Sequence, residues 1–405
     1  MKTYLVGGSV RTLLLNRLAD MQLETKDHDW VVIGSDDAEM AKKGFRRVGQ
    51  SFPVYLHPST KEEYALARTA DGSFSPKVTL EEDLGRRDLT INAMAMSPSG
   101  QLIDPLGGRE DIEAKKLRHL ENAFEADPLR MLRVARFAAV LPEFDVAPET
   151  VQAISDNISR IDEVAPERIF LEIEKAMTAP APQRFVQVLK QTGLLGKIMP
   201  EVEALYGVPQ PENYHPEIDT GIHTELALAL AAEIAPGNPL IAFASLTHDL
   251  GKGVTPKDKL PSHHGHEKAG VPLVDALCRR IAAPNKYRDF ALLVCEYHLH
   301  MHRLEELRPI TIVKLFDSLK AFKNPAQIER FALACETDSR GRASFQNKTY
   351  PQKQILKDYF EAARVVTSRD LLEKGHSPGP ALGEALRQAR AKAIRNHANN
   401  RHNGH

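Results

Sequence analysis

The chain has 405 residues, 42% hydrophobic and 26% charged, with a formal net charge of −1. That length suggests several domains, and so ordinary a globular composition excludes a fibrous or wholly disordered chain. No apolar run approaches the roughly 18 residues of a membrane span, and glycine follows Met1 too soon for a signal peptide, so the expected location is the cytoplasm without a membrane partner.

Tyr4-Leu5-Val6 reads as a strand, Gly7-Gly8 as a tight turn, and the residues through Val10, Leu13 and Leu14 as an amphipathic helix. Lys26 to Ile33 is the most informative stretch. In a strand, alternate side chains share a face, so Asp27 and Asp29 project together. Adjacent carboxylates repel unless a cation lies between them, and Mg²⁺ favours one or two carboxylates with phosphate oxygens. Two such ions about 3.5–4 Å apart can activate a hydroxyl and stabilise a leaving pyrophosphate. Alone, Asp-x-Asp is also an ordinary exposed turn. The double glycine upstream, followed by a helix N-terminus, adds a cradle for a triphosphate.

Glu63 to Arg68 looks like a further strand, while Leu89 to Met96 fits a helix or a buried strand. Asp127-Pro128 is a helix start, with Asp able to cap free N–H groups. Arg130, Arg133 and Arg136 recur every third residue beside an apolar stripe of Leu129, Leu132 and Ala135. Such a basic face is either solvated or holds phosphates and a base edge. With the whole chain near neutrality, RNA binding must rest on a local basic surface of this kind.

Residues 207–216 are rich in proline and read as a linker, and a histidine-rich helical region follows to about Asp338. Cys278, Cys295 and Cys335 are too scattered for a zinc knuckle or a disulfide framework. His223 and the pair His248-Asp249 carry the metal-ligating chemistry here, and His263, His264, His266 and His298 could add ligands for a second ion, although each alone is an ordinary histidine. Imidazole with carboxylate suits a transition metal better than a hard ion. The last ten or so residues are expected to be disordered.

Four words in this order resemble the nucleotidyltransferase superfamily: Leu5-Val6-Gly7-Gly8-Ser9-Val10-Arg11, Asp27-His28-Asp29-Trp30, Arg86-Arg87-Asp88-Leu89-Thr90-Ile91-Asn92-Ala93, and Asp127-Pro128-Leu129-Arg130-Met131-Leu132-Arg133-Val134-Ala135-Arg136-Phe137. The likeness is close to the bacterial class of CCA-adding enzymes and related poly(A) polymerases. It implies an α+β protein: a nucleotidyltransferase α/β head (1–125), a helical neck and body (126–206), an HD domain (207–338) and a helical tail (339–405). By that resemblance Asp27 and Asp29 hold catalytic Mg²⁺, and Gly8, Arg11, Arg87, Arg133 and Arg136 contact the nucleotide. Asp127 and Arg130 pair with the edge of CTP or ATP in place of a template. The partner is tRNA, and the chain is compatible with a monomer or a homodimer.

The word His248-Asp249-Leu250-Gly251-Lys252-Gly253 resembles the HD phosphohydrolase superfamily. That likeness implies His223, His248, Asp249 and Asp317 around Ni²⁺ or another transition metal, and a phosphatase or 2′,3′-cyclic phosphodiesterase activity. Leu299 stands where a second His-Asp pair would have its Asp. Thr12 and Ala126 depart from the usual Asp and Glu of their motifs. The stretch Thr69 to Asp83 is shorter than the loop that helps related enzymes switch from CTP to ATP, which raises CC-only addition as an alternative. Poly(A) polymerase and a metal phosphohydrolase with a nucleotide-binding head are more remote.

Overall fold

The computed structural model describes all residues except 19–20, 25–27, 49–53, 70–72, 214 and 404–405. It divides into two compact units, Met1–Ala165 and Pro166–His405. No helix among the described residues is long and apolar enough to cross a membrane.

The first unit is built on a mixed sheet. Its strands are β1 (Lys2–Val6), β2 (Asp29–Ile33), β3 (Arg46–Arg47), β4 (Val54–Leu56), β5 (Glu63–Leu66), β6 (Ala95–Met96) and β7 (Leu102–Ile103), in the order β3-β4-β5-β2-β1-β6-β7. β1 runs antiparallel to β2 with Val6 opposite Asp29, and β2 runs parallel to β5 with Asp29 opposite Glu63. Val32, Met40, Tyr55, Tyr64 and Leu66 form a buried cluster against it, and Trp30 stacks on Tyr64 at 5.5 Å. After β1 the chain bends at Gly7, whose φ of +64° favours glycine, into α1 (Gly8–Leu18). Val10, Leu14 and Leu15 of α1 are buried, the i, i+4 spacing of a packed helix face.

The ambiguous run Leu89 to Met96 is neither one helix nor one strand. It makes a single 3₁₀ turn at Thr90–Asn92 and then enters β6, with Leu89, Ile91, Ala93, Met94 and Ala95 fully buried. The next helix needed here, α2 (Leu129–Val140), buries Leu129, Leu132 and Ala135 but also Met131, Val134 and Phe137. Arg130, Arg133 and Arg136 are consequently half-buried rather than a solvated face.

The second unit is helical: α3 (Pro166–Met177), α4 (Thr220–Ile234), α5 (Pro239–Thr247), α6 (His266–Arg280), α7 (Asn285–His302), α8 (Pro309–Ser318), α9 (Ala326–Arg340), α10 (Gln352–Arg364) and α11 (Pro380–Asn403) are its longer members together with Pro182–Thr192. α5 is apolar all round, with residues 241–247 buried, so it belongs at the centre. It packs on α3, α4, α7 and α9. Phe170, Phe243 and Tyr287 interlock edge-to-face there, with ring centroids 5.0–6.0 Å apart. Truncating Phe243 to alanine would cost about 3–5 kcal/mol. α5 ends directly at His248, so a helix buried at the centre of the unit delivers the His-Asp pair.

Two expectations fail in this unit. Residues 207–216 are not a free linker: Gln210 N–H donates to Ile218 C=O at 2.7 Å and Thr220 N–H to Val208 C=O at 3.0 Å, closing the segment back on itself. Most of the end expected to be disordered is helical, since α11 continues to Asn403, and 404–405 lie outside the described residues. The three cysteines are buried and free.

Candidate functional site

In the first unit, several motif residues converge where β1 turns into α1. A Cβ on Gly7 would lie 3.0 Å from Arg87 Nη1 and 4.0 Å from Asp29 Oδ2, so the turn, the arginine and the carboxylate meet at one point. Asp29, Glu63, Arg68, Asp83 and Arg87 line one cleft. Asp27 lies outside the described residues. Glu63 escaped the sequence reading because strand register is invisible in a linear pattern. Opposite Asp29 in a parallel pair, it puts another carboxylate on the same sheet face.

The arginines are held by an acid and an aromatic ring. Arg133 Nε and Nη2 both lie 2.7 Å from Asp88 Oδ2, and Asn92 donates to the other oxygen at 2.8 Å. Burial would raise the Asp88 carboxyl, but the Arg133 charge and these donors hold it below the usual carboxylate range. Arg11 hydrogen-bonds Asn92, and Arg11, Arg133 and Arg136 gather round the Phe137 ring at 5.0, 6.0 and 4.4 Å. Burial pushes the Arg11 guanidinium down to about 10 against the pull of Asp88, with Arg136 and Arg133 adding to the effect. Arg11 Nη2 also sits 3.7 Å from where a Cβ on Gly8 would be.

The expected base-reading pair is turned toward the backbone. Arg130 donates to the carbonyls of Arg86 at 2.7 Å, Arg87 at 3.2 Å and Ala123 at 3.3 Å. Asp127 Oδ1 accepts the Leu129 N–H at 3.1 Å, the capping job expected of an Asp before a helix. Arg130 thereby ties the Arg86-Arg87 segment to α2.

In the second unit the described residues form three groups of candidate ligands: His215, Glu217 and His223, which are not all fully buried, and two adjoining buried trios. His223, His248 and Asp338 make one, and Asp249, His266 and His298 the other, all buried. Asp249 faces both: its Oδ2 is 3.1 Å from His248 Nε2, and its Oδ1 is 3.1 Å from His266 Nε2 and 3.6 Å from His298 Nε2. The ring orientations are set from behind. The Nδ1 atoms of His248, His266 and His298 face the carbonyls of Ser245 at 2.7 Å, His263 at 2.8 Å and Cys295 at 3.0 Å. Only an N–H can satisfy a carbonyl, so these rings carry their proton on Nδ1 and turn an Nε2 lone pair inward.

That donor set fits a metal. His248 Nε2 and both Asp249 oxygens are buried without a well-directed hydrogen bond, although Lys252 Nζ lies 2.6 Å from Oδ2 as an ion-pair partner. Orphaned buried acceptors are costly unless something absent from the coordinates satisfies them. Imidazole and carboxylate together favour a transition ion. Close packing brings the pieces together. Gly251 and Gly270 admit no side chain, since a Cβ would come within 2.0 Å of His266 C=O at the first and 2.6 Å of Cys295 Sγ at the second.

Three of the expected ligands are not in this cluster. Asp317 sits on α8, ion-paired to Arg387 at 2.8 Å, and Asp338 of α9 fills the place expected for it. His264 is exposed. His263 spends both ring nitrogens, on Thr255 at 2.7 Å and on Pro209 C=O at 3.0 Å. Asp249, shared by the trios, supplies the carboxylate that Leu299 cannot.

Comparison with known proteins agrees with both halves. A poly A polymerase head domain model matches residues 3–118, a model described as a probable RNA and SrmB-binding site of polymerase A matches 143–206, and an HD domain model matches 220–321. The multifunctional CCA protein of Thioalkalivibrio sulfidiphilus is 49% identical, covering 98% of this chain and 98% of its own length. The chain belongs to the multifunctional CCA protein family. The Stenotrophomonas maltophilia R551-3 member is 47% identical over 97% of this chain and 99% of its own. Among solved structures, the CCA-adding enzyme of Bacillus stearothermophilus in complex with CTP is 27% identical with a TM-score of 0.63, covering 97% of this chain and 89% of that one. The Thermotoga maritima CCA-adding enzyme complexed with tRNA shares the fold at 18% identity and a TM-score of 0.62, over 97% and 87% of the two chains. Members of this family are nucleotidyltransferases of tRNA processing that carry an HD domain, and Asp338 lies beyond the residues that the HD model matches.

Proposed function

We propose that the first unit adds the 3′-terminal CCA to tRNA from CTP and ATP, with Asp27 and Asp29 holding Mg²⁺ and Glu63 beside Asp29. In this reaction the 3′-hydroxyl oxygen bonds to the α-phosphorus, the bond to pyrophosphate breaks, and the hydroxyl proton is lost to solvent. Mg²⁺, when bound, would ease loss of that proton and offset the charge of the leaving group. Gly8, Arg11, Arg87, Arg133 and Arg136 grip the triphosphate, and Asp127 with Arg130 reads the base once Arg130 leaves its carbonyls. What carries this reading is the meeting of Asp29, Gly7 and Arg87 at one point. The test is to incubate the protein and Mg²⁺ with tRNA lacking its CCA end, add CTP, ATP or both, and sequence the 3′ ends. CCA ends are expected; no extension overturns the reading.

A second reading, addition of CC only, is favoured by one observation. Arg68 pairs with Phe74 across an isolated bridge, and Thr69 N–H donates to Ser73 C=O at 2.8 Å. Phe74 then packs on the head core, so the connection is short and pinned at both ends. Products that stop at CC with ATP present would select this reading.

For the second unit we propose hydrolysis of a 3′-phosphate or 2′,3′-cyclic phosphate on damaged tRNA, which regenerates the hydroxyl that the head extends. His223, His248, Asp249 and Asp338 would hold Ni²⁺ or another transition ion, and His266 and His298 a second. Such an ion supplies an activated water, and Lys252 stands ready to pair with a phosphate oxygen. Asp249→Asn should stop extension of phosphate-blocked tRNA while leaving unblocked tRNA a normal substrate; unimpaired extension of the blocked tRNA refutes the proposal.

A further inference from the structure

His302 belongs to neither trio, yet it is the histidine most firmly hydrogen-bonded to one of them. It lies one helical turn beyond His298 on α7, so both rings share a face. His298 turns its Nε2 toward Asp249, whereas His302 Nε2 donates to Asp338 Oδ2 at 2.6 Å. On the far side, His302 Nδ1 is 2.9 Å from the Tyr350 hydroxyl. Asp338 Oδ1 faces the inner site, 3.2 Å from His223 Nε2 and 3.7 Å from His248 Nε2, while Arg342 donates to it at 3.2 Å.

We propose that His302 is a positioning residue for the ion in the first trio, holding Asp338 by Oδ2 so that Oδ1 is presented inward, with Tyr350 fixing which His302 nitrogen carries the proton. The proposal rests on the reading of that trio as a metal site.

Hydrogen bonding makes the assignment one-way. A carboxylate only accepts, so the nitrogen at Asp338 must be N–H, and in the neutral ring the other nitrogen is then an acceptor. The Tyr350 hydroxyl is the donor that meets it, and a phenylalanine there would leave that acceptor unmet and remove one of the two groups that fix the tautomer. Without His302, Asp338 could rotate and offer either oxygen, or turn wholly to Arg342. The segment that carries Tyr350 is fastened for the purpose: Arg340 Nε donates to Gln346 C=O at 2.9 Å, and Ser344 adopts a φ of +67°, which a non-glycine residue takes only when its surroundings require it. Side chains that orient a metal ligand in this way are typically worth 10–100-fold in metal affinity.

The experiment is a Co²⁺ titration of the full-length protein, read by the visible absorption of histidine-ligated cobalt, with Asp249→Asn as the blank for ions bound elsewhere. His302→Leu should weaken the Asp249-dependent binding by about 10–100-fold, and Tyr350→Phe by a few-fold. His302→Gln, whose amide can still donate to Asp338, should stay within about threefold of wild type. Thermal unfolding should show all three still cooperatively folded, His302→Leu with a modest loss of stability from the unpaired Asp338 oxygen, and addition of nucleotides to intact tRNA should be unaffected. Two results overturn the proposal while leaving the site reading intact: unchanged Co²⁺ affinity in His302→Leu, or equal losses in His302→Leu and His302→Gln, which would make His302 a direct ligand. Absence of any Asp249-dependent Co²⁺ uptake in the wild type overturns the site reading, and this proposal with it.

Discussion

The two sites manage charge in opposite ways. In the head, functional cations are already engaged: Arg133 with Asp88, Arg130 with three carbonyls, and Arg11 with Asn92. On the proposed function a nucleotide would exchange itself for these partners, and such a site could change its contacts as its substrate changes. In the histidine site, backbone carbonyls engage the outer nitrogens, and His248 Nε2 and the Asp249 oxygens converge inward without a well-directed hydrogen bond. That site is prepared for one kind of occupant and has little freedom to rearrange. Half-buried, exchangeable arginines suit sequential recognition; buried, tautomer-locked imidazoles suit a resident ion.

The contrast can be broken most sharply at the head carboxylate. Asp29→Ala should lower nucleotide addition by about 1,000-fold or more, since a carboxylate that holds the ion is asked for several kcal/mol of transition-state stabilisation. Hydrolytic opening of 2′,3′-cyclic-phosphate ends, assayed in the same preparation, should not change. Parallel loss of both activities would mean that the two sites are not independent.

A second comparison concerns which distant aspartate serves the histidines. Asp338→Ala should reduce transition-metal content, measured by atomic emission after dialysis, and slow hydrolysis by at least about 100-fold. Asp317→Ala should leave both within twofold and lose only its ion pair with Arg387, a surface contact of about 0–1 kcal/mol. The reverse order would restore Asp317 as the ligand.

The smallest effect tests the exchangeable arginines. Asp88→Asn should lower the stability of the head by about 1–2 kcal/mol, because Arg133 loses a charged partner but remains partly solvated. The Asp88 carboxyl is held below the usual carboxylate range, so its contribution is complete above about pH 4, the ordinary aspartate value, and fades as pH falls through the depressed folded value. Melting curves of wild type and variant should therefore converge in acid. A gap that persists at pH 2 would show that packing, not charge, is what Asp88 supplies.

Much of this was legible in the sequence where the chemistry is local. The strand, the double glycine and the following helix appear where their residues predict them, and His248-Asp249 lies in a helical region as expected. Legibility failed where partners are distant along the chain. Asp317 is the distant aspartate that the family resemblance implies, whereas Asp338 is brought to the histidines by the packing of α9 on α4 and α5. A faint signal existed in Glu336-Thr337-Asp338, polar residues directly after the apolar run Phe331–Cys335 of α9, and all three are buried. Prolines made residues 207–216 read as a linker, although the backbone hydrogen bonds that close the segment have no sequence signature. Glu63 was hidden because the partner of Asp29 is decided by register.

Gly251 and Gly270 touch no ion and donate no ligand, yet neither has room for a single methyl group. A saturation scan of this domain would score both as intolerant as His248. Constraint on a position would thus register two different demands, coordination and clearance, and only the atomic contacts tell them apart. A lineage that lost the hydrolytic chemistry would be free to discard its histidines and would still have to keep these glycines, so a relic domain should be recognisable by the spacing of its helices long after its ligands have drifted.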